Sequence, residues 1–82
     1  MMLLKCRRVM DGPGPSEVVV AITVDGGIEE LMVQESSLKN SALEVGSIVG
    51  RNNGLSLIEL PRETASGKWR VWVPNDQVLQ TV

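Results

Sequence analysis

The sequence contains no histidine and a single cysteine, Cys6. Zinc, haem and iron–sulfur centres take most of their ligands from imidazole and thiolate groups, so the chain lacks a ligand set for them. Triads that pair a serine or cysteine nucleophile with an imidazole base are excluded for the same reason. We therefore expect no metal site, no cofactor and no enzymatic activity, and one cysteine cannot form an internal disulfide.

Aromatic residues are also scarce, because the chain has no phenylalanine, no tyrosine and only two tryptophans. The hydrophobic core must therefore be built from valine, leucine, isoleucine and methionine. Hydrophobic residues make up 43% and charged residues 22% of the 82 positions, which is typical of a folded globular protein. A chain of this length forms one domain, and we expect residues 1–82 to fold as a single β-barrel domain.

A strong excess of one charge and long apolar runs are missing as well. The formal net charge is −2, which gives no general attraction to nucleic acid or to an anionic lipid surface. No apolar run approaches the roughly 18–20 residues that span a bilayer. Residues 1–4 are apolar and precede the first basic residues, whereas a secretory signal places its charge first. These features predict a cytoplasmic protein with no membrane contact.

Alternating apolar residues predict a fold made of short strands. The clearest strand is Glu17–Val24, in which every second residue is a valine or isoleucine. The turn sequence Asp25-Gly26-Gly27 follows, and residues 28–34 form the return strand of a hairpin. Further short strands are expected over residues 1–10, 55–60, 68–73 and 78–82, and residues 46–51 form either a short strand or a diverging turn. Five to seven antiparallel strands in one small barrel or roll would account for this pattern, and we see no internal repeat.

The first hairpin has two possible registers. A turn at Gly26-Gly27 places Ile22 opposite Leu31, so the apolar faces match, and we prefer this register. A turn at Asp25-Gly26 would instead pair Ile22 with Glu29, which matches less well.

Residues 36–44 change in character. Serines at 36, 37 and 41 are helix-capping residues, and the apolar residues 38, 42 and 45 recur at helical spacing. We expect one or two turns of helix near residues 36–44, packing Leu38 or Leu43 onto the barrel, with an irregular loop as the alternative. In the N-terminal strand we expect Leu4 and Cys6 to point inward.

The second half of the chain resembles an SH3-like barrel. Residues 43–48 carry a glycine-containing turn, the strands 55–60 and 68–73 follow, and Pro74-Asn75-Asp76-Gln77 forms a corner before the last strand. The resemblance covers residues 43–82 and implies an all-β fold rather than a role. Peptide-binding SH3 domains and Tudor-type domains line their sites with several aromatic side chains, and this chain has only two.

Trp72 is the leading candidate for a binding residue. If strand alternation begins at residue 68, Trp69 enters the core with Val71 and Val73, and Trp72 faces outward as the more exposed tryptophan. An exposed tryptophan offers a large rigid contact surface, although it can also lie flat on the barrel beneath arginine side chains. Basic residues accompany Trp72 in the sequence: Arg51, Arg62, Lys68 and Arg70.

These features leave two hypotheses for function. The first is a non-catalytic, bacterial-type protein-interaction or accessory module, with homodimer formation through the outer face of Glu17–Val24, where Val19 and Ala21 lie. The alternative is a small nucleic-acid-binding barrel that uses the basic residues beside Trp72, as single-strand-binding proteins combine cations with a stacking ring. Ion pairs with Glu59 and Glu63 are the ordinary explanation for those basic residues.

Overall fold

The computed structural model describes residues 2–80, so the strand positions predicted at Met1, Thr81 and Val82 lie outside the described residues. The described chain is all-β, as the sequence predicts, with two single-turn 3₁₀ helices at Glu35–Ser37 and Asn75–Gln77. Its ten short strands are β1 Met2–Lys5, β2 Arg7–Asp11, β3 Glu17–Val24, β4 Gly27–Gln34, β5 Leu38–Lys39, β6 Ala42–Glu44, β7 Ile48–Asn52, β8 Leu55–Glu59, β9 Arg70–Pro74 and β10 Val78–Gln80.

The strands form three antiparallel sheets, and the predicted barrel is not closed. One sheet has the order β10-β1-β6-β5, and the other two are the meanders β2-β3-β4 and β7-β8-β9. The three sheets share one core of aliphatic side chains, because the chain offers no phenylalanine or tyrosine to fill it. The fully buried members of this core are Leu4, Val18, Val20, Ile22, Val33, Leu43, Ile58 and Val73.

The two halves of the chain repeat the same order and pairing of strands, a structural repeat that the sequence does not show. Exchanging β1–β5 with β6–β10 maps the four-stranded sheet onto itself and one meander onto the other. The register irregularity between Arg8 and Met10 of β2 recurs, forty positions later, between Ile48 and Gly50 of β7. The two 3₁₀ turns, Glu35–Ser37 and Asn75–Gln77, are also forty positions apart.

The repeat is invisible in the sequence because equivalent core positions hold different residues. The buried pair Val20 and Leu31 of the first meander corresponds to the pair Ile58 and Val71 of the second. Strand positions accept different β-forming side chains of similar volume, so the fold can repeat while the residues change.

The first hairpin turns at Asp25-Gly26, so the preferred Gly26-Gly27 register is wrong. Val24 pairs with Gly27, and Ile22 therefore lies opposite Glu29. The positive φ of Gly26, 85°, is the left-handed conformation that glycine adopts most readily. The carboxylate of Glu29 is tolerated at this inward-facing position because it lies at the end of the sheet and binds side chains from residues 66 and 68.

The helical turn expected near residues 36–44 is present only as the 3₁₀ turn Glu35–Ser37, and residues 38–44 form a tight hairpin. The 3₁₀ turn ends at Ser37, and β5 and β6 then pair around Asn40-Ser41. Asn40 and Ser41 have φ values of 52° and 67°, which fit a two-residue primed turn between strands. Leu43 is fully buried and Leu38 packs against the core, so both keep the packing role that the helical interpretation gave them.

The N-terminal segment is two strands rather than one, because the chain changes sheets at Cys6. Leu4 is fully buried, as expected, and Cys6 is partly buried against the core. The Cys6 thiol donates a hydrogen bond to the backbone carbonyl of Ser41 across 3.4 Å. Burial raises the pKa of this thiol, which favours an unreactive, protonated side chain.

Candidate functional site

The two tryptophans differ from the sequence-based prediction. Trp69 is 55% exposed and Trp72 is 37% exposed, so Trp69 does not enter the core and Trp72 is not the more exposed of the two. The reason is that β9 begins at Arg70, where pairing with Glu59 starts, and Trp69 lies in a bend before it. Inward alternation therefore starts at Val71, which is buried.

Trp72 lies on the outward face of the second meander. Its cross-strand partner is Leu57 of β8, and Leu57 in turn pairs with Gly50 of β7. The indole reaches over Gly50, where an ideal Cβ would lie only 3.5 Å from Trp72 Cη2. The carbonyl of Trp72 accepts a hydrogen bond of 2.8 Å from the N–H of Asp25, which ties β9 to the first hairpin turn. Trp72 is thus held in place by its neighbours while part of its ring stays open to solvent.

An open cavity of about 280 Å³ lies beside Trp72. It is bounded on one side by β8 and β9 and on the other by the turn between β3 and β4. Three of the five predicted site residues, Lys68, Arg70 and Trp72, are among its lining residues. The other lining residues are Val24, Asp25, Glu29, Leu57 and Val71. We refer to it below as the Trp72 cavity.

The other two predicted site residues lie outside the Trp72 cavity. Arg62 belongs to the long connection between β8 and β9, and its Nη1 lies 3.6 Å from Oε2 of Glu17 at the start of β3. Arg51 is paired with Ser56 in the register of β7 and β8, whereas the Trp72 row contains Gly50 and Leu57. Neighbouring strand residues point to opposite faces, so Arg51 does not share the face of Trp72.

Both cations in the Trp72 cavity have carboxylate partners. Lys68 Nζ lies 3.7 Å from Glu29 Oε2, and Arg70 Nη2 donates a hydrogen bond of 3.1 Å to Glu59 Oε2. Asp25 adds a further carboxylate to the lining. The cavity therefore combines an aromatic and aliphatic wall with charges of both signs, rather than a field of free cations.

Glu29 is the most constrained of these charged groups. Its side chain is 14% exposed, and Oε1 accepts a hydrogen bond of 2.7 Å from the hydroxyl of Ser66. That hydrogen bond is the main cause of a lowered pKa for Glu29, with contributions from Thr64 and Lys68. The carboxylate form is therefore stabilised in the folded protein.

Sequence analysis names Glu59 as an ion-pair partner of the basic residues, and Glu59 does pair with Arg70, but the roles of Glu29 and Asp25 at this site were not recognised. The sequence pattern suggests only a solvated acidic tip formed by Asp25, Glu29 and Glu30. The Asp25-Gly26 register brings Glu29 to the sheet end that faces Lys68, and the contact with Ser66 comes from 37 positions further along the chain. Only the Asp25-Gly26 register, which the apolar pattern disfavours, places Glu29 opposite Ile22, so this register was the one signal in the sequence for an inward-facing Glu29.

Within residues 2–80, no group of three histidine, cysteine, aspartate or glutamate side chains is placed to hold a metal ion. None of the helices in the same part of the chain is long and apolar enough to cross a membrane. Comparison with protein-family models, curated proteins and solved structures finds no match for this chain. The function is therefore inferred from the geometry of the site.

Proposed function

We propose that this chain is a non-catalytic, cytoplasmic protein-interaction module whose partner binds at the Trp72 cavity. The observation that carries the proposal is the arrangement of an exposed indole and Leu57 beside Lys68 and Arg70 in one open cavity. Tryptophan and arginine are the residue types most often found at the energetic centre of protein interfaces. Here the ring is already held by Leu57 and Gly50, so a partner would order few additional torsions.

The charges of the cavity favour a polypeptide over a nucleic acid. Nucleic-acid binding draws its affinity from cations that neutralise phosphates and release counterions. Lys68 and Arg70 already face Glu29 and Glu59, and Asp25 lies on the same wall. A polyanion would have to displace these pairs and approach an uncompensated carboxylate, whereas a protein segment with mixed polar and apolar side chains would not.

The alternative remains a nucleic-acid-binding barrel built on the predicted basic residues. Arg51 has no carboxylate within ion-pair distance among residues 2–80, but it does not share the face of Trp72. Arg62 is paired with Glu17. A continuous track of cations along the stacking ring, which the alternative requires, is therefore absent from the described part of the chain.

An SH3-like scaffold fits this proposal, with one difference in connectivity. Residues 42–80 run through a strand, a three-stranded meander, a 3₁₀ turn and a last strand, which is the order that the resemblance implies. The last strand, β10, pairs with β1 of the other half, while β6 pairs with β1 and β5. We infer that two SH3-like halves of about forty residues share their terminal strands in one molecule.

The test compares two tryptophan variants as bait in affinity capture from a bacterial extract, before and after nuclease treatment. Trp72→Ala should lower the amount of captured protein at least 10-fold, because it deletes the aromatic wall of the cavity. Trp69→Ala should retain them, since Trp69 lies outside the cavity and is the more exposed ring. Equal loss in both variants, or capture that disappears with nuclease, would contradict the proposal.

A further inference from the structure

A second apolar surface lies on the outward face of the first meander. Met10 of β2, Val19 of β3 and Met32 of β4 are successive cross-strand partners and form one row across this sheet. Met10 is 58% exposed, and Val19 and Met32 are partly exposed. Flexible methionine side chains at a surface adapt well to an apposed apolar partner. We call this surface the methionine face.

The repeated topology of the two halves makes the methionine face comparable with the Trp72 row, which consists of Gly50, Leu57 and Trp72. Met10, Val19 and Met32 occupy the positions that Gly50, Leu57 and Trp72 occupy in the second meander. In the second meander the Trp72 indole extends over Leu57 and Gly50. In the first, three medium-sized apolar side chains stand side by side. The two faces therefore present different shapes on the same framework.

Charges of opposite sign flank the methionine face at its two edges. The neighbouring cross-strand row consists of Arg7 on β2, Ala21 on β3 and Glu30 on β4. Arg7 and Glu30 are both exposed, and neither has an ion-pair partner among residues 2–80. They stand on the two outer strands, about 10 Å apart across the sheet.

We propose that a second copy of this chain packs on the methionine face to form a symmetric homodimer. A two-fold axis parallel to β3 and passing over Val19 exchanges the β2 edge of one sheet with the β4 edge of the other. Arg7 then faces the partner's Glu30, and Glu30 faces the partner's Arg7, so two ion pairs form at once. Met10 and Met32 meet by the same operation. An axis across the strands would instead move Arg7 and Glu30 to opposite ends of the interface.

The proposed interface is small. Two face-to-face sheets stand about 10 Å apart, a gap that methionine and valine side chains fill and that arginine and glutamate span. Three strands offer less surface than a standard stable interface, so we expect a dimer that dissociates in the micromolar to millimolar range. The surface is distinct from the Trp72 cavity, and the inference does not depend on the proposed function.

A charge exchange tests the proposal through sedimentation of the full chain from about 10 μM to 1 mM. Arg7→Glu and Glu30→Arg should each raise the dimer dissociation constant at least 10-fold, because each places like charges opposite one another twice. The double variant should restore the constant to within about 3-fold, since the pairs re-form with their signs exchanged. Lys39→Glu, which makes the same charge change as Arg7→Glu at an exposed position of β5, should leave the constant unaltered.

Several results would overturn the inference. A wild-type chain that stays monomeric at 1 mM would do so, as would a double variant no tighter than the single variants. Loss of the dimer with Trp72→Ala but not with Arg7→Glu would place self-association on the other surface. If a charge reversal prevents folding, Arg7→Ala and Glu30→Ala test the same pairs by deletion, and each should weaken the dimer in a well-folded chain.

Discussion

At the scale of single residues, the partners of Glu29 explain how the first hairpin can take the register that its apolar pattern disfavours. Pairing Ile22 with Glu29 places a carboxylate at an inward-facing position, which would be costly without partners. Ser66, Lys68 and Thr64 supply those partners from a distant segment. The apolar pairs Val20–Leu31 and Val18–Val33 remain matched in this register, so little packing is lost.

The contact with Ser66 leads to a prediction about pH. Because the pKa of Glu29 is lowered in the folded state, its contribution to stability is present at neutral pH and is lost as pH falls through that lowered pKa. Ser66→Ala should raise the Glu29 pKa towards its ordinary value, so the loss begins at higher pH. Carboxyl carbon shifts in an NMR titration measure this directly. Ser36→Ala, on an exposed turn, is the control; the idea fails if both variants titrate like the wild type.

Residue-scale predictions from the sequence were mixed for a physical reason. Leu4 is buried as expected, and Leu43, one of the two leucines expected to pack on the core, is buried from a strand instead of a helix. Trp69 is exposed although its parity matches Val71, since alternation applies only inside a paired strand and β9 begins at Arg70. The start of a strand depends on its partner, which a single segment does not reveal.

At the scale of elements, turns decide the pairing. The Asp25-Gly26, Asn40-Ser41 and Asn53-Gly54 turns each contain two residues, and each joins antiparallel neighbours. Glycines in the sequence mark a turn near the first and third positions, although the Gly26-Gly27 turn preferred for the first is wrong. The second turn has Ser41 in a left-handed conformation, with φ 67°, which is uncommon for serine. The sequence therefore shows no turn signal there, and the spacing of the apolar residues suggests a helix instead. The β3 strand and the corner after Pro74 were predicted correctly, because both have strong local signals.

Two adjacent glycines test the hairpin register. Gly26 has a positive φ of 85° and Gly27 does not, while neither has an atom within 4 Å of a built Cβ. Gly26→Ala should therefore lower the free energy of unfolding by about 1–2 kcal/mol through backbone strain alone. Gly27→Ala should change it by no more than about 0.5 kcal/mol. Urea denaturation measures both, and similar losses in the two variants would favour the Gly26-Gly27 turn.

At the scale of the whole molecule, one framework presents two different surfaces. The repeated topology places Met32 and Trp72 at equivalent positions, on the outward faces of the two meanders. The all-β class and most strands follow from the sequence, whereas the pairing of the first strand with the last does not. Pairing of β1 with β10 joins residues almost eighty positions apart, and no local pattern specifies such a partner.

Site-specific photo-cross-linking in cells that express the chain distinguishes the roles of the two surfaces. A photoreactive amino acid would replace Asp25, an exposed lining residue of the Trp72 cavity, in one variant and Met32 in another, so that each position controls for the other while Trp72 stays in place. We predict that position 25 gives a covalent adduct with a different protein, position 32 gives a covalent homodimer, and neither gives an adduct with nucleic acid. A nucleic-acid adduct at position 25, or the lack of any protein adduct there, would contradict the proposed binding site.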